Sequence, residues 1–207
     1  MKNVVKYALH WGGGLHLFEE FLATAEARNL MVRLIAELSF EQRSIRLFGK
    51  KVLQPRLIAW AGKHPYSYSG DTLEPREFPR AALSLLSLIN ASLKETSPAA
   101  PPFNHMLANL YRNGSDSMGM HSDNERELGA TPFIASVSLG ATRTFSIAPK
   151  KIFRKNQPKA PVLRIPLTHG SLLLMVPPTQ ENYLHGISKT KKPVAERLNL
   201  TFRCVQI

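Results

Sequence analysis

Cysteine is almost missing from this chain: Cys204 is the single one among 207 residues. That excludes a disulfide framework and fits a reducing compartment, the cytoplasm of a bacterium or a eukaryotic nucleus. Cys204 itself sits in an apolar run beside Arg203 and reads as a small buried hydrophobe rather than a nucleophile. No run of about 18 apolar residues occurs, so no membrane span is expected. Lys2 and Lys6 stand near the start, but no uninterrupted hydrophobic region follows them, and no secretory signal is read there. Internal repeats and low-complexity tracts are also missing. Acidic residues are scarce, 15 Asp and Glu against 27 Lys and Arg, which leaves a net charge of +12 and a pI near 10.1. Such an imbalance points to a polyanionic partner, and with no basic amphipathic helix in view nucleic acid suits it better than a membrane. What is present in quantity is apolar: 43% of the residues, enough for one domain with a sizeable core.

Along the chain, Trp11-Gly12-Gly13-Gly14 reads as a flexible joint, since no Lys-Ser/Thr follows to make it a phosphate loop. The pattern from Leu17 to Leu38 turns helical, with Thr24 as a cap and Leu30, Leu34, Ile35 and Leu38 on the apolar face. Ser44 to Trp60 alternates as two extended runs around a Gly turn, carrying Arg43, Arg46, Lys50, Lys51 and Arg56. At the tip of this basic hairpin is Phe48, placed to wedge between base steps while the cations hold the backbone; simple packing onto the domain is the plainer alternative. Alternation sends Tyr66 and Tyr68 to one face, a platform on which a base could stack. A second helix is expected over Ala81–Leu93, ended by the prolines of 98–102. Beyond it, short apolar strands separated by Gly and Pro turns argue for a β-sandwich or jelly roll, and Asn113-Gly114 is a hairpin signal. Pro149 to Pro166 holds Lys150, Lys151, Arg154, Lys155, Lys159 and Arg164 with no acid. Together with the Ser44–Arg56 hairpin it could form two banks of a phosphate groove, extended by Lys189 to Lys192.

The chemistry gathers between Asn109 and Arg203. His121 and Asp123 are two apart, so a strand would offer both side chains to one point, and His185 lies 64 positions downstream. Two His and one carboxylate make the facial triad that holds non-haem Fe(II) and leaves other coordination positions open. A lone His-x-Asp says little. The longer string, Asn109-x-Tyr111, His121-x-Asp123, His185 and Arg197-x5-Arg203, is far harder to obtain by accident.

That string, with the words NLYRNG, HSDNERELG, IASVSLGATRTF, HGSLLLM and RLNLTFR, resembles the catalytic core of the AlkB family of Fe(II)/2-oxoglutarate-dependent nucleic-acid dealkylating dioxygenases. It is most similar to the branch that works on duplex DNA. The resemblance is strong over the last half and reaches upstream to IRLFGK and YSYSG. It implies an α+β chain: a double-stranded β-helix over 101–207, preceded over 1–100 by support helices and a nucleotide-recognition hairpin lid, all in one domain. It implies Fe(II) on His121, Asp123 and His185, with 2-oxoglutarate and O2 as co-substrates. Arg197 matches the partner of the distal carboxylate of 2-oxoglutarate, assisted by Tyr111, with Asn109, Asn199 and Thr201 close by. Arg203 matches a residue at the metal end. Phe48 matches a finger residue, Arg56 a phosphate contact, and Tyr68 with His121 the two jaws on an extracted base; Tyr66, Ser69 and Glu125 match neighbouring substrate positions. The implied activity is removal of the methyl group of 1-methyladenine and 3-methylcytosine, with release of formaldehyde, succinate and CO2, by a monomer. Asn124 stands where the family has an acid and Ser122 where it has a basic residue, which leaves base preference open. An RNA or single-strand demethylase and a catalytically silent nucleic-acid-binding module are the rival expectations.

Overall fold

The structure is a computed structural model that describes residues 4–47, 50–68, 70–150 and 162–206. Phe48, Ser69, Lys151, Arg154, Lys155 and Lys159 therefore lie outside the described residues. In chain order the elements are β1 (Val4–Ala8), β2 (Gly14–Phe18), α1 (Thr24–Glu37), β3 (Ser44–Leu47), β4 (Lys50–Leu53), β5 (Leu57–Gly62), β6 (Tyr66–Tyr68) and β7 (Asp71–Leu73). Then follow α2 (Arg80–Thr96), β8 (His105–Tyr111), β9 (Met118–His121), β10 (Ile134–Gly140), β11 (Arg143–Pro149) and β12 (Leu163–Leu167). The chain closes with β13 (Ser171–Val176), a short α3 (Thr179–Asn182), β14 (Tyr183–Ile187) and β15 (Arg197–Arg203).

Two antiparallel sheets carry the site. The larger has seven strands in the order β1-β2-β13-β10-β15-β8-β5, the smaller four in the order β12-β11-β14-β9. The central strands β8, β10 and β15 are buried on both faces, and period-two alternation sorts their side chains between the two. In β15, Leu198, Leu200 and Phe202 point to one side and join an apolar cluster with Ala27 and Leu34 of α1 and Leu85 and Ile89 of α2. The odd-numbered residues, Arg197, Asn199, Thr201 and Arg203, point to the other side. There Leu107 and Met175 of the large sheet meet Phe145, Ile165 and Ile187 of the small one. Helices thus cover the outer face, while the inner face looks at the second sheet and at a set of buried polar groups.

Several local expectations change. The segment 14–18 is a strand rather than the start of a helix, and α1 begins after Ala23, whose side chain cannot cap; Thr24 lies inside the first turn and makes no cap. Gly12 and Gly13 are not a flexible joint. They adopt positive φ, +79° and +81°, and turn β1 back onto β2, so β1 forms an edge of the large sheet. Asn113-Gly114 does not close a hairpin either. β8 pairs with β15 and β5, whereas β9 pairs with β14, so this turn carries the chain from one sheet to the other. Here Asp116 accepts from the backbone and guanidinium of Arg112, and Arg143 donates to the carbonyls of Asn113, Asp116 and Ser188. Among the described residues, no helix is long and apolar enough to cross a membrane.

Candidate active site

Cross-strand pairing sets two of the three candidate metal ligands side by side. His121 ends β9 directly opposite His185 in β14, with ring centroids 4.4 Å apart. Asp123 stands just beyond β9, 2% exposed, with Oδ2 3.4 Å from His185 Nε2. One ligand atom from each of His121, Asp123 and His185 lies within 4.8 Å of the others. The carbonyl of Gly119 can only accept, so His121 Nδ1, 3.0 Å away, carries the proton and Nε2 keeps its lone pair for a metal. Burial first, then the neighbouring His185, pulls the His121 pKa down to about 4, which keeps the ring in its ligating form at neutral pH. Burial alone would raise the Asp123 carboxyl, but Arg203, then His185 and His121, outweigh it and hold the group well below the usual carboxylate range. The ring of His185 stacks on Phe145 at 5.4 Å and 25°.

The opposite wall is the inner face of the large sheet. Register places Arg197 beside Tyr111, Asn199 beside Asn109, and Arg203 beside His105. Arg203 donates through Nε (3.2 Å) and Nη2 (2.5 Å) to Asp123 Oδ1, a buried bond between the walls. Arg197 is 1% exposed, sits over the Tyr111 ring at 5.2 Å, and spends only Nη2, on Ser138 Oγ at 2.9 Å. Its Nε and Nη1 are buried and, among the described residues, find no hydrogen-bond partner; the same holds for Asp123 Oδ2, which lies against the His185 ring. Nearby, Asn199 donates to Ser136 Oγ at 2.8 Å, and Thr201 to Asn199 Oδ1 at 3.1 Å.

One cavity is lined by His121, Asp123 and His185 together with Asn109, Tyr111, Arg197, Asn199, Thr201 and Arg203. Two imidazole nitrogens and a carboxylate oxygen suit Fe(II). A guanidinium with two uncommitted N–H groups suits the carboxylate of a keto acid. Buried donors and acceptors without partners are rare in a finished interior, and here they face the place where such groups would complete them. The residues present fit both ligands.

Other expected substrate contacts lie elsewhere. Arg56 is 4% exposed, and its guanidinium donates to Asn109 Oδ1 (2.7 Å), Tyr68 Oη (2.5 Å) and the Ser117 carbonyl (3.4 Å). It braces the cavity wall from behind, buried rather than presented on the surface. Tyr66 and Tyr68 share a face but are buried, at 0% and 5% exposure, so they form no open platform here. Tyr66 packs on His105 at 4.6 Å and lies under the Arg203 guanidinium at 5.5 Å. Glu125 is partly buried, and burial raises its pKa against the pull of Arg203. Ser136 and Ser138 stand out in IASVSLG only as polar alternates, a pattern too common to mark a site by itself. Gln180, which accepts from the Asp123 backbone N–H at 2.9 Å, carries no sequence signal.

A jelly-roll-like pair of antiparallel sheets with this donor set defines the class. The profile of the 2OG-Fe(II) oxygenase superfamily matches residues 14–203, and the chain belongs to that superfamily. Within it, the chain is 39% identical over 191 residues to human alpha-ketoglutarate-dependent dioxygenase alkB homolog 3, covering 91% of this chain and 65% of that protein. It is 38% identical over 162 residues to the human DNA oxidative demethylase ALKBH2, covering 77% of this chain and 60% of the relative. The chain thus spans less than two thirds of these relatives' length. Its fold is similar to the solved structure of OsALKBH1, with a TM-score of 0.66, 19% identity, and coverage of 91% of this chain and 97% of that one.

Proposed function

We propose that this chain is a 2-oxoglutarate-dependent dioxygenase that removes methyl groups from ring nitrogens of nucleic-acid bases, with 1-methyladenine and 3-methylcytosine in DNA as substrates. The observation that carries the reading is the meeting, on one cavity, of the His121–Asp123–His185 donor set and the half-committed Arg197 guanidinium. Fe(II), when bound, supplies the activation of O2 that couples decarboxylation of 2-oxoglutarate to hydroxylation of the methyl group, one oxygen atom ending in succinate and the other in the N-hydroxymethyl product. That product loses formaldehyde, and the ring nitrogen is left unmethylated.

The protein's residues do the positioning. Arg197, with Tyr111 against its guanidinium, holds the distal carboxylate; its planar fork gives direction as well as charge. Arg203 keeps Asp123 ionised and aimed, so Oδ2 stays open toward the histidines. Apolar neighbours such as Phe145, Leu167, Met175 and Ile187 exclude water around the reacting atoms. The hairpin of β3 and β4, with exposed Lys50 and Lys51, and the net charge of +12 support a nucleic-acid substrate. The name of ALKBH2, a DNA oxidative demethylase, supports DNA over RNA. Lesions on the pairing edge also lower the cost of extruding the base. The protein acts as a monomer, with Phe48 as a finger on duplexes.

The test is mass spectrometry of methylated duplex and single-stranded oligonucleotides incubated with Fe(II), 2-oxoglutarate and ascorbate, with succinate measured in parallel. Unmethylated base and stoichiometric succinate are expected, and Phe48→Ala should spare single strands while weakening action on duplexes. Succinate release without any change in the oligonucleotide would place the substrate elsewhere.

A further inference from the structure

Asp123 is held at both ends. Arg203 takes its carboxylate, and the carboxamide of Gln180 takes its peptide N–H at 2.9 Å. Gln180 is 1% exposed, and its Nε2 lies 3.3 Å from Met175 Sδ. Those contacts set the amide's orientation, because the Asp123 N–H can only donate and so demands the oxygen. Gln180 is in turn seated from three directions. Lys150 Nζ donates to its backbone carbonyl at 3.0 Å. The preceding Thr179 accepts from Gly14 N at 3.0 Å through Oγ1, which also lies 2.6 Å from the Val176 carbonyl. Finally, the β1–β2 turn presses on Thr179 so closely that a Cβ at Gly13 would lie 2.7 Å from its backbone nitrogen.

We infer that Gln180 is a positioning residue for the metal centre, and that the glycine turn of the N-terminal hairpin, through Thr179, holds it in place. The inference rests on the metal-site reading above. It explains the Trp11–Gly14 motif, because the outermost strands of the large sheet then steady a residue that contacts the backbone of a metal ligand on the far side of the cavity. Gln180 touches neither the metal position nor the cavity itself. It sets the direction from which Asp123 leaves the end of β9, and so the line along which Oδ2 approaches the histidines. Residues that orient ligands in this way typically contribute about ten- to a hundredfold in metal affinity.

The experiment is Mn(II) binding to metal-free protein, followed by the loss of the free-ion electron paramagnetic resonance signal, with melting temperatures and the ratio of succinate to demethylated base recorded alongside. Gln180→Met keeps the volume and removes the acceptor; Gln180→Glu keeps an acceptor oxygen. The expected result is about a tenfold weaker Kd for Mn(II) and a raised succinate-to-product ratio in Gln180→Met, with the native fold retained. In Gln180→Glu affinity should return to within about threefold of the native protein. Native-like Mn(II) affinity in a folded Gln180→Met variant overturns the inference. Should Gln180→Met fail to fold, Gln180→Glu and Thr179→Val decide: retention by the first and loss by the second supports it, and any other pattern overturns it. If the native protein itself binds no Mn(II), it is the metal-site reading that falls.

Discussion

At the scale of single residues, Asp123 and Arg197 make opposite predictions although both are buried and charged. Asp123 neutralises Arg203, so Asp123→Ala strands a guanidinium that is 2% exposed. The metal-free protein should lose about 3–5 kcal/mol, read from urea denaturation, as well as its metal. Arg197, by contrast, already has two buried N–H groups without partners. Arg197→Met should leave the ligand-free melting temperature unchanged or higher, and abolish the rise in melting temperature that 2-oxoglutarate gives the native protein. A clear loss of ligand-free stability would show that Arg197 serves the fold. The triad and this pair of arginines were legible because their spacing is unusual. Strand alternation gives the arginines one face, whereas Asp123 lies past the end of β9 rather than on the strand with His121, and is held there by Arg203. Arg56 was not. A basic residue in a basic hairpin reads as surface, and nothing local shows that Asn109 and Tyr68 will enclose it.

At the scale of elements, the pairing of β9 with β14 is what brings two imidazoles together, and Gly186 permits it. A Cβ there would lie 2.7 Å from the Met118 carbonyl and 2.9 Å from that of Gly119, both backbone atoms that cannot step aside cheaply. Gly186→Ala should therefore cost about 1–3 kcal/mol of stability and displace His121, weakening Mn(II) binding. Unchanged metal affinity would show that β9 can shift without moving the histidine. Strand and helix types were readable from periodicity over long segments, as in Arg80–Thr96, whose apolar residues recur at helical spacing. Connections were not. Asn113-Gly114 has the local chemistry of a hairpin, but the strands beside it find better partners in different sheets, and no short-range signal reports that competition.

For the whole molecule, acid should act through buried rings and the central carboxylate in the same direction. His105 is 1% exposed, and burial, helped by Arg203, lowers its pKa to about 3, while His121 falls to about 4. Unfolded, both would bind protons near pH 6.5, so between that value and about 4 the unfolded state holds more protons and stability falls as the pH falls. Asp123, depressed in the folded state, adds its own loss below the ordinary carboxylate range. Melting temperatures of the metal-free protein should decline steadily from pH 7 to pH 4, and the decline should be shallower in His105→Phe. The net charge of +12 makes a second molecular prediction: affinity for an unmethylated oligonucleotide should drop steeply with salt, log Kd changing linearly with log salt concentration. A salt-independent Kd would argue against backbone contact.

The histidines hang from the four-stranded wall and the arginines from the seven-stranded one. On the proposed reading, metal grip and keto-acid grip share one spacer, the apolar filling between the walls. Altering that filling should weaken Mn(II) and 2-oxoglutarate binding together, whereas edits to the separate two-stranded sheet of β3 and β4 should leave both unchanged.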